Sequence, residues 1–174
     1  MGNEEARLVD LSGPHPLGVS ADVLVVRGTP MTEISFHFNV ADRTDYTCRL
    51  VRKASRLGAS VVLTGPVPAL AHFDRALWTF DDLEFLPHLM LRTGEAVADR
   101  QRATRIWLVQ EAGQAAEHHE VLLNLGTEAP AGFERFEKVI EIVSTDADDR
   151  AAARARWKHY ATRGYAIRKH EVMV

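Results

Sequence analysis

Cysteine is nearly missing from this 174-residue chain. Cys48 stands alone, so neither an internal disulfide nor a cysteine-ligated zinc site can form. That scarcity suits a reducing, cytoplasmic setting. Long apolar runs are missing too: stretches such as VLVV at 23–26 and VVL at 61–63 fall far short of the ~20 residues a bilayer-spanning helix needs. No membrane association is expected. The N-terminal MGNEEARLVD has neither the basic n-region nor the apolar core of a secretory signal, and Ala6 breaks the myristoylation pattern that Gly2 opens. Neither sign of charge dominates. A net charge of -3 excludes polyanion binding by bulk charge and leaves any affinity for nucleic acid or acidic ligands to a local patch. Glycine-rich phosphate loops are also missing, since neither GxxxxGK[ST] nor GxGxxG occurs. The turn NVADRTD at 39–45 holds no glycine, and its Asp42 and Asp45 repel phosphate. A nucleotide-dependent enzyme is the least favoured class.

What is present is an ordinary globular composition, 46% hydrophobic and 26% charged, in a chain long enough for one domain with a real core. Residues 1–30 read differently from the rest. They are rich in Gly and Pro and lack a sustained period, with only DVLVV at 22–26 able to form a short strand. We read 1–30 as an N-terminal extension or an early start, and 31–174 as the folded domain. From Met31, the residues Ile34, Phe36 and Phe38 alternate with Ser35, His37 and Asn39, the period of a strand. Tyr46, Leu50, Ala54 and Leu57 then follow helical spacing, with Asp42 as N-cap and Gly58 just past the end. SVVLTGP at 60–66 is a buried strand by length and branching, and Leu70, Phe73 and Leu77 mark a second helix with Pro68 in its first turn. RIWLVQ, HEVLLNLG and KVIEIV are further strands, the last helix spans roughly 146–163, and YAIRKHEV closes with another. The charged stretch 92–105 is an exposed loop. Alternating strands and helices predict an α/β fold: a Rossmann-like three-layer sandwich with a parallel or mixed central sheet and no phosphate-binding loop.

No catalytic constellation emerges, and no cofactor or metal is expected. The eight histidines lack ligand spacing: adjacent residues of HHE at 118–120 point to opposite sides of a strand, and His37 is read as facing outward. Cys48 on an amphipathic helix behaves as a small hydrophobe. Asp81 and Asp82 belong to a turn.

The C-terminal helix is the most distinctive feature. Between Arg150 and Lys169 lie seven Lys and Arg and no Asp or Glu, while Asp146, Asp148 and Asp149 precede them. Acids at a helix start and bases further on complement the helix dipole. The spacing adds a second reading. Arg150, Arg154 and Lys158 recur every four residues as one stripe beside Ala153, Trp157 and Tyr160. Such a face fits a short acidic peptide with an aromatic end. Direct binding of single-stranded nucleic acid is the alternative, although that usually needs more exposed stacking rings.

FHFNVADR, CRLVRKA, DRALWTFDDLEFLPH, VLLNL and RARWKHYATRGY occur in that order. Together they resemble the chi subunit family of bacterial DNA polymerase III holoenzyme, from Met31 to about Tyr165. The resemblance implies a non-catalytic, cytoplasmic adaptor in DNA replication, monomeric when free. It would link the clamp loader to single-stranded-DNA-binding protein by holding that protein's acidic, Phe-ending tail, and so reach DNA indirectly. By position, Arg154 and Lys158 would meet carboxylates, and Trp157, Val143 and Trp78 would form the apolar slot. Ala161 stands where the family often has another Arg. Phe85, Leu86, Pro87 and His88 would contact the psi subunit or another clamp-loader component.

Overall fold

The computed structural model describes residues 31–115 and 117–173. The 1–30 extension and its DVLVV run therefore lie outside the described residues. The described residues form seven strands: β1 (Glu33–Val40), β2 (Val61–Thr64), β3 (His88–Met90), β4 (Ile106–Val109), β5 (Val121–Asn124), β6 (Lys138–Ser144) and β7 (Ile167–Glu171). Three α-helices connect them: α1 (Arg43–Arg56), α2 (Val67–Thr79) and α3 (Ala147–Thr162). The sheet order is β3-β4-β2-β5-β6-β1-β7, and each of its pairings is parallel. The expected choice between a parallel and a mixed sheet resolves as parallel. A parallel sheet needs cover on both faces, and the burial agrees: β2 and β4 are buried at every residue.

The helices begin and end where side-chain chemistry directs. Asp42 accepts from the Asp45 amide at 2.9 Å and starts α1, while Gly58, at φ 78°, turns the chain out in a conformation that costs other residues a Cβ clash. Asp146 accepts from the Asp148 and Asp149 amides at 2.9 and 3.0 Å and starts α3.

Strand parity divides the core in two. Val61, Leu63, Ile106, Leu108 and Ile142 pack with Cys48, Leu70 and Leu77 of α1 and α2 on one face. Ile34, Phe36, Trp107, Leu122 and Val139 pack with Ala153 and Tyr160 of α3 on the other. Thus α1 and α2 lie on one side of the sheet and α3 on the opposite side.

His37 corrects the sequence reading. It is only 9% exposed, because α1 covers its face of β1. Its Nδ1 lies 2.7 Å from the Tyr46 hydroxyl and its Nε2 3.0 Å from that of Ser35. Alternation told which residues shared a face, but not that both faces would be covered.

A candidate peptide-binding groove between α3 and the sheet edge

The last helix does not present all its bases to solvent. Arg156 is buried, donating from Nε to Glu141 Oε2 at 2.7 Å and from Nη1 to the Thr127 carbonyl at 3.1 Å. Tyr160 donates to Glu141 Oε1 at 2.8 Å, and Asn124 Nδ2 lies 3.0 Å from the same oxygen. This polar cluster holds α3 against β5 and β6. Burial pushes the Glu141 carboxyl up against the pull of Arg156, Asn124 and Tyr160, and burial and the Glu141 carboxylate raise the Tyr160 phenol. The signal in the sequence was Glu141 itself, an acid with the parity of Val139 and Val143 in an apolar strand.

With Arg156 anchored inward, Arg150, Ala153, Arg154 and Trp157 face the sheet edge at positions i, i+3, i+4 and i+7. They overhang β1 and β7, whose residues Phe36 and Phe38 pair in register with Lys169 and Glu171. The resulting trough has two parts. One, about 530 Å³, is lined by Phe36, Phe38, Ala153, Arg154, Trp157 and Lys169. The other, about 440 Å³, brings Val143, Ser144, Arg150, Arg154 and Glu171 around Phe38 and Asn39. Arg154 borders both. Asn39 sits at φ 65°, in the left-handed region that asparagine tolerates better than most residues. The register of β1 against β6 shifts between His37 and Val40, a local bulge, and Phe38 and Asn39 within it line the second part of the trough with Val143.

Of the residues expected to grip a tail, the fold brings Arg154, Trp157 and Val143 together. Lys158 is exposed but does not line the trough. Trp78 is elsewhere: it lies on α2, across the sheet from α3, with its ring 5.2 Å from Phe85 and 4.8 Å from His88. The sequence reading missed Phe36, Phe38 and Lys169. Their alternation was visible, but nothing local showed that β7 pairs with β1.

The second expected surface is assembled around Trp78. Trp78 and Phe85 are 55% and 64% exposed, and Leu83 beside them is almost fully exposed. Pro87 is exposed, but Leu86 is buried in the core. The His88 side chain is buried, with Nδ1 2.7 Å from the Leu86 carbonyl and Nε2 3.3 Å from Asp74 Oδ1. Phe85, Leu86, Pro87 and His88 therefore divide into an outer pair, Phe85 and Pro87, and an inner pair that fixes the segment.

Elsewhere, His118 packs edge-on against Trp107 at 4.8 Å. Asp81 accepts from the Leu83 amide and from Arg52, each at 2.9 Å, as a turn residue does. No helix among the described residues is long and apolar enough to cross a membrane.

An all-parallel α/β sandwich with cationic and aromatic side chains along its edge defines the structural class. Residues 31–168 match the family model described as DNA polymerase III chi subunit, HolC, and the chain belongs to that family. It is similar to the DNA polymerase III subunit chi of Pseudomonas aeruginosa, with 30% identity over 147 residues, covering 82% of this chain and 98% of the relative. Membership makes DNA replication, as an accessory part of DNA polymerase III, the setting of this chain.

Proposed function

We propose that the protein is a non-catalytic adaptor that binds the acidic, Phe-ending C-terminal tail of single-stranded-DNA-binding protein in the trough between α3 and β7. It would thereby link that protein to the clamp-loader assembly. The observation that carries the reading is the juxtaposition of Arg154 with Trp157, Phe36 and Phe38 around one cavity. Guanidinium groups bind carboxylates through charge-assisted hydrogen bonds, and the rings supply an apolar seat for an aromatic terminus. The exposed Trp78–Phe85 pair, on the other side of the sheet, supports a separate contact with psi or another clamp-loader subunit. Clustered exposed aromatics of this kind mark interaction sites.

A contact of this size binds on the order of micromolar, near -8 kcal/mol, and weakens with salt because its charges are solvent-exposed. Several tails on one oligomer would raise the effective affinity without new contacts. Calorimetric titration with a peptide copying the tail, at low and high salt, tests the reading. Removing the terminal Phe should weaken binding roughly 10- to 100-fold, the equivalent of burying one aromatic side chain. Absence of binding at low salt overturns the proposal, and a salt-sensitive shift with a bare oligonucleotide would replace it with direct nucleic-acid binding.

A further inference from the structure

Residues 80–87, between α2 and β3, carry exposed apolar side chains of the second surface, yet apolar contact secures the segment at its two ends. Phe80 and Leu86 pack against the core, whereas Leu83 and Phe85 between them are 97% and 64% exposed. The backbone adds little, with the Glu84 amide 3.4 Å from the Asp81 carbonyl, near the limit of a hydrogen bond. Two acids tie the middle of the segment to α1. Asp81 accepts from Arg52 Nη1 and from the Leu83 amide, each at 2.9 Å. Glu84 accepts two parallel bonds from Arg56, at 3.1 and 2.6 Å, and its Oε2 lies 4.0 Å from Arg52 Nε. The Arg52 guanidinium also lies 5.0 Å from the Phe80 ring centroid. Arg52 and Arg56, one helical turn apart, thus meet the segment from the same side of α1. The acids turn toward α1 while Leu83 and Phe85 turn outward. Isolated surface ion pairs contribute little. This group differs, because the Arg56–Glu84 pair is bidentate and Glu84 joins both arginines. The side chains of Arg52, Asp81 and Glu84 are also no more than 28% exposed.

We propose that Arg52 and Arg56 are positioning residues for the second surface. They hold residues 81–84 against α1, so that Leu83 and Phe85 stand beside Trp78 before a partner arrives. A partner that meets these apolar side chains then draws part of its affinity from charges it does not touch, because the segment is already ordered in the free protein. This assignment rests on the reading of the Trp78–Phe85 pair as a clamp-loader contact.

The test compares the full-length wild type with Arg52→Gln, Arg56→Glu, Glu84→Arg and the double variant Arg56→Glu/Glu84→Arg, which swaps the charges of one pair. Native-state amide exchange at Leu83 and Glu84 needs no partner. Each single substitution should raise it about tenfold without moving the urea midpoint, and the swap should recover most of the protection. The second measurement is affinity for the clamp-loader assembly purified without this subunit, with Phe85→Ala as the control for the surface. Each single substitution should weaken association about fivefold, and the swap should restore it. Restoration discriminates, since the swap re-forms the pair but inverts the charges a partner would meet. Unchanged exchange in the single variants, or raised exchange with unchanged association, overturns the positioning role. So does a swap that restores exchange but not association, which assigns the charges to direct contact. If wild type and Phe85→Ala bind the assembly alike, or neither binds it, the reading of the surface itself fails and takes the positioning role with it.

Discussion

Arg156 and Glu141 form an ion pair with Nε and Oε2 2.7 Å apart, at 1% and 0% side-chain exposure, beneath the helix that carries Arg154 outward. Two arginines, two residues apart, therefore do unrelated work. One fixes the helix to the sheet, and the other is free to meet a ligand.

Substitution should separate them. Removing one partner of a buried pair strands the other charge, so Arg156→Ala should cost about 3–5 kcal/mol in urea unfolding. Arg154→Ala, at an exposed position, should cost under about 0.5 kcal/mol while sharply weakening peptide binding. Equal losses of stability for both would contradict the division of labour described above.

The second surface divides in the same way. Leu86 is 3% exposed, and Leu86→Ala should destabilise the fold by about 2–5 kcal/mol through a lost apolar contact and the cavity left behind. Phe85→Ala should stay within about 1 kcal/mol, since most of its ring already faces water. Chemical denaturation of the two variants distinguishes them. A large loss for Phe85→Ala would assign that ring to the core instead of to a partner.

The pH dependence of stability has a visible contributor in His37. Burial, then the neighbouring His170 and Lys138, lower its pKa from 6.5 to about 4. As pH falls below 6.5 the unfolded chain protonates this imidazole and the folded chain does not, so the unfolded state binds more protons. The stabilising contribution is full above 6.5 and declines as pH falls toward 4, by up to about 3 kcal/mol. His37→Gln should flatten the stability profile across that window. An unchanged slope would mean that other groups set it.

Cys48 should be inert in the native protein. It is 1% exposed, and burial, with Asp45 and Asp42 nearby, raises its thiol to about 11, so little of the reactive thiolate exists at neutral pH. Thiol-reagent labelling should proceed in denaturant and be undetectable over the same period without it. Rapid native labelling would show that α1 opens readily.

Much of this molecule was legible without coordinates because the signals were local. Alternation in Ile34, Phe36 and Phe38 defines β1, Asp42 and Asp146 start helices with their own side chains, and Gly58 ends one with a positive φ. The absence of a phosphate loop is also a matter of adjacent residues. Local spacing likewise placed Arg154 beside Trp157, because one helix carries both. Tertiary structure decided whatever depends on two distant segments meeting. It moved Trp78 to the face opposite Arg154, since α2 and α3 cover different sides of the sheet. It buried Arg156 and His37, because a covered face is a property of neighbouring elements and not of strand periodicity. It also set Lys169 against Trp157, since only the pairing of β7 with β1 brings them together.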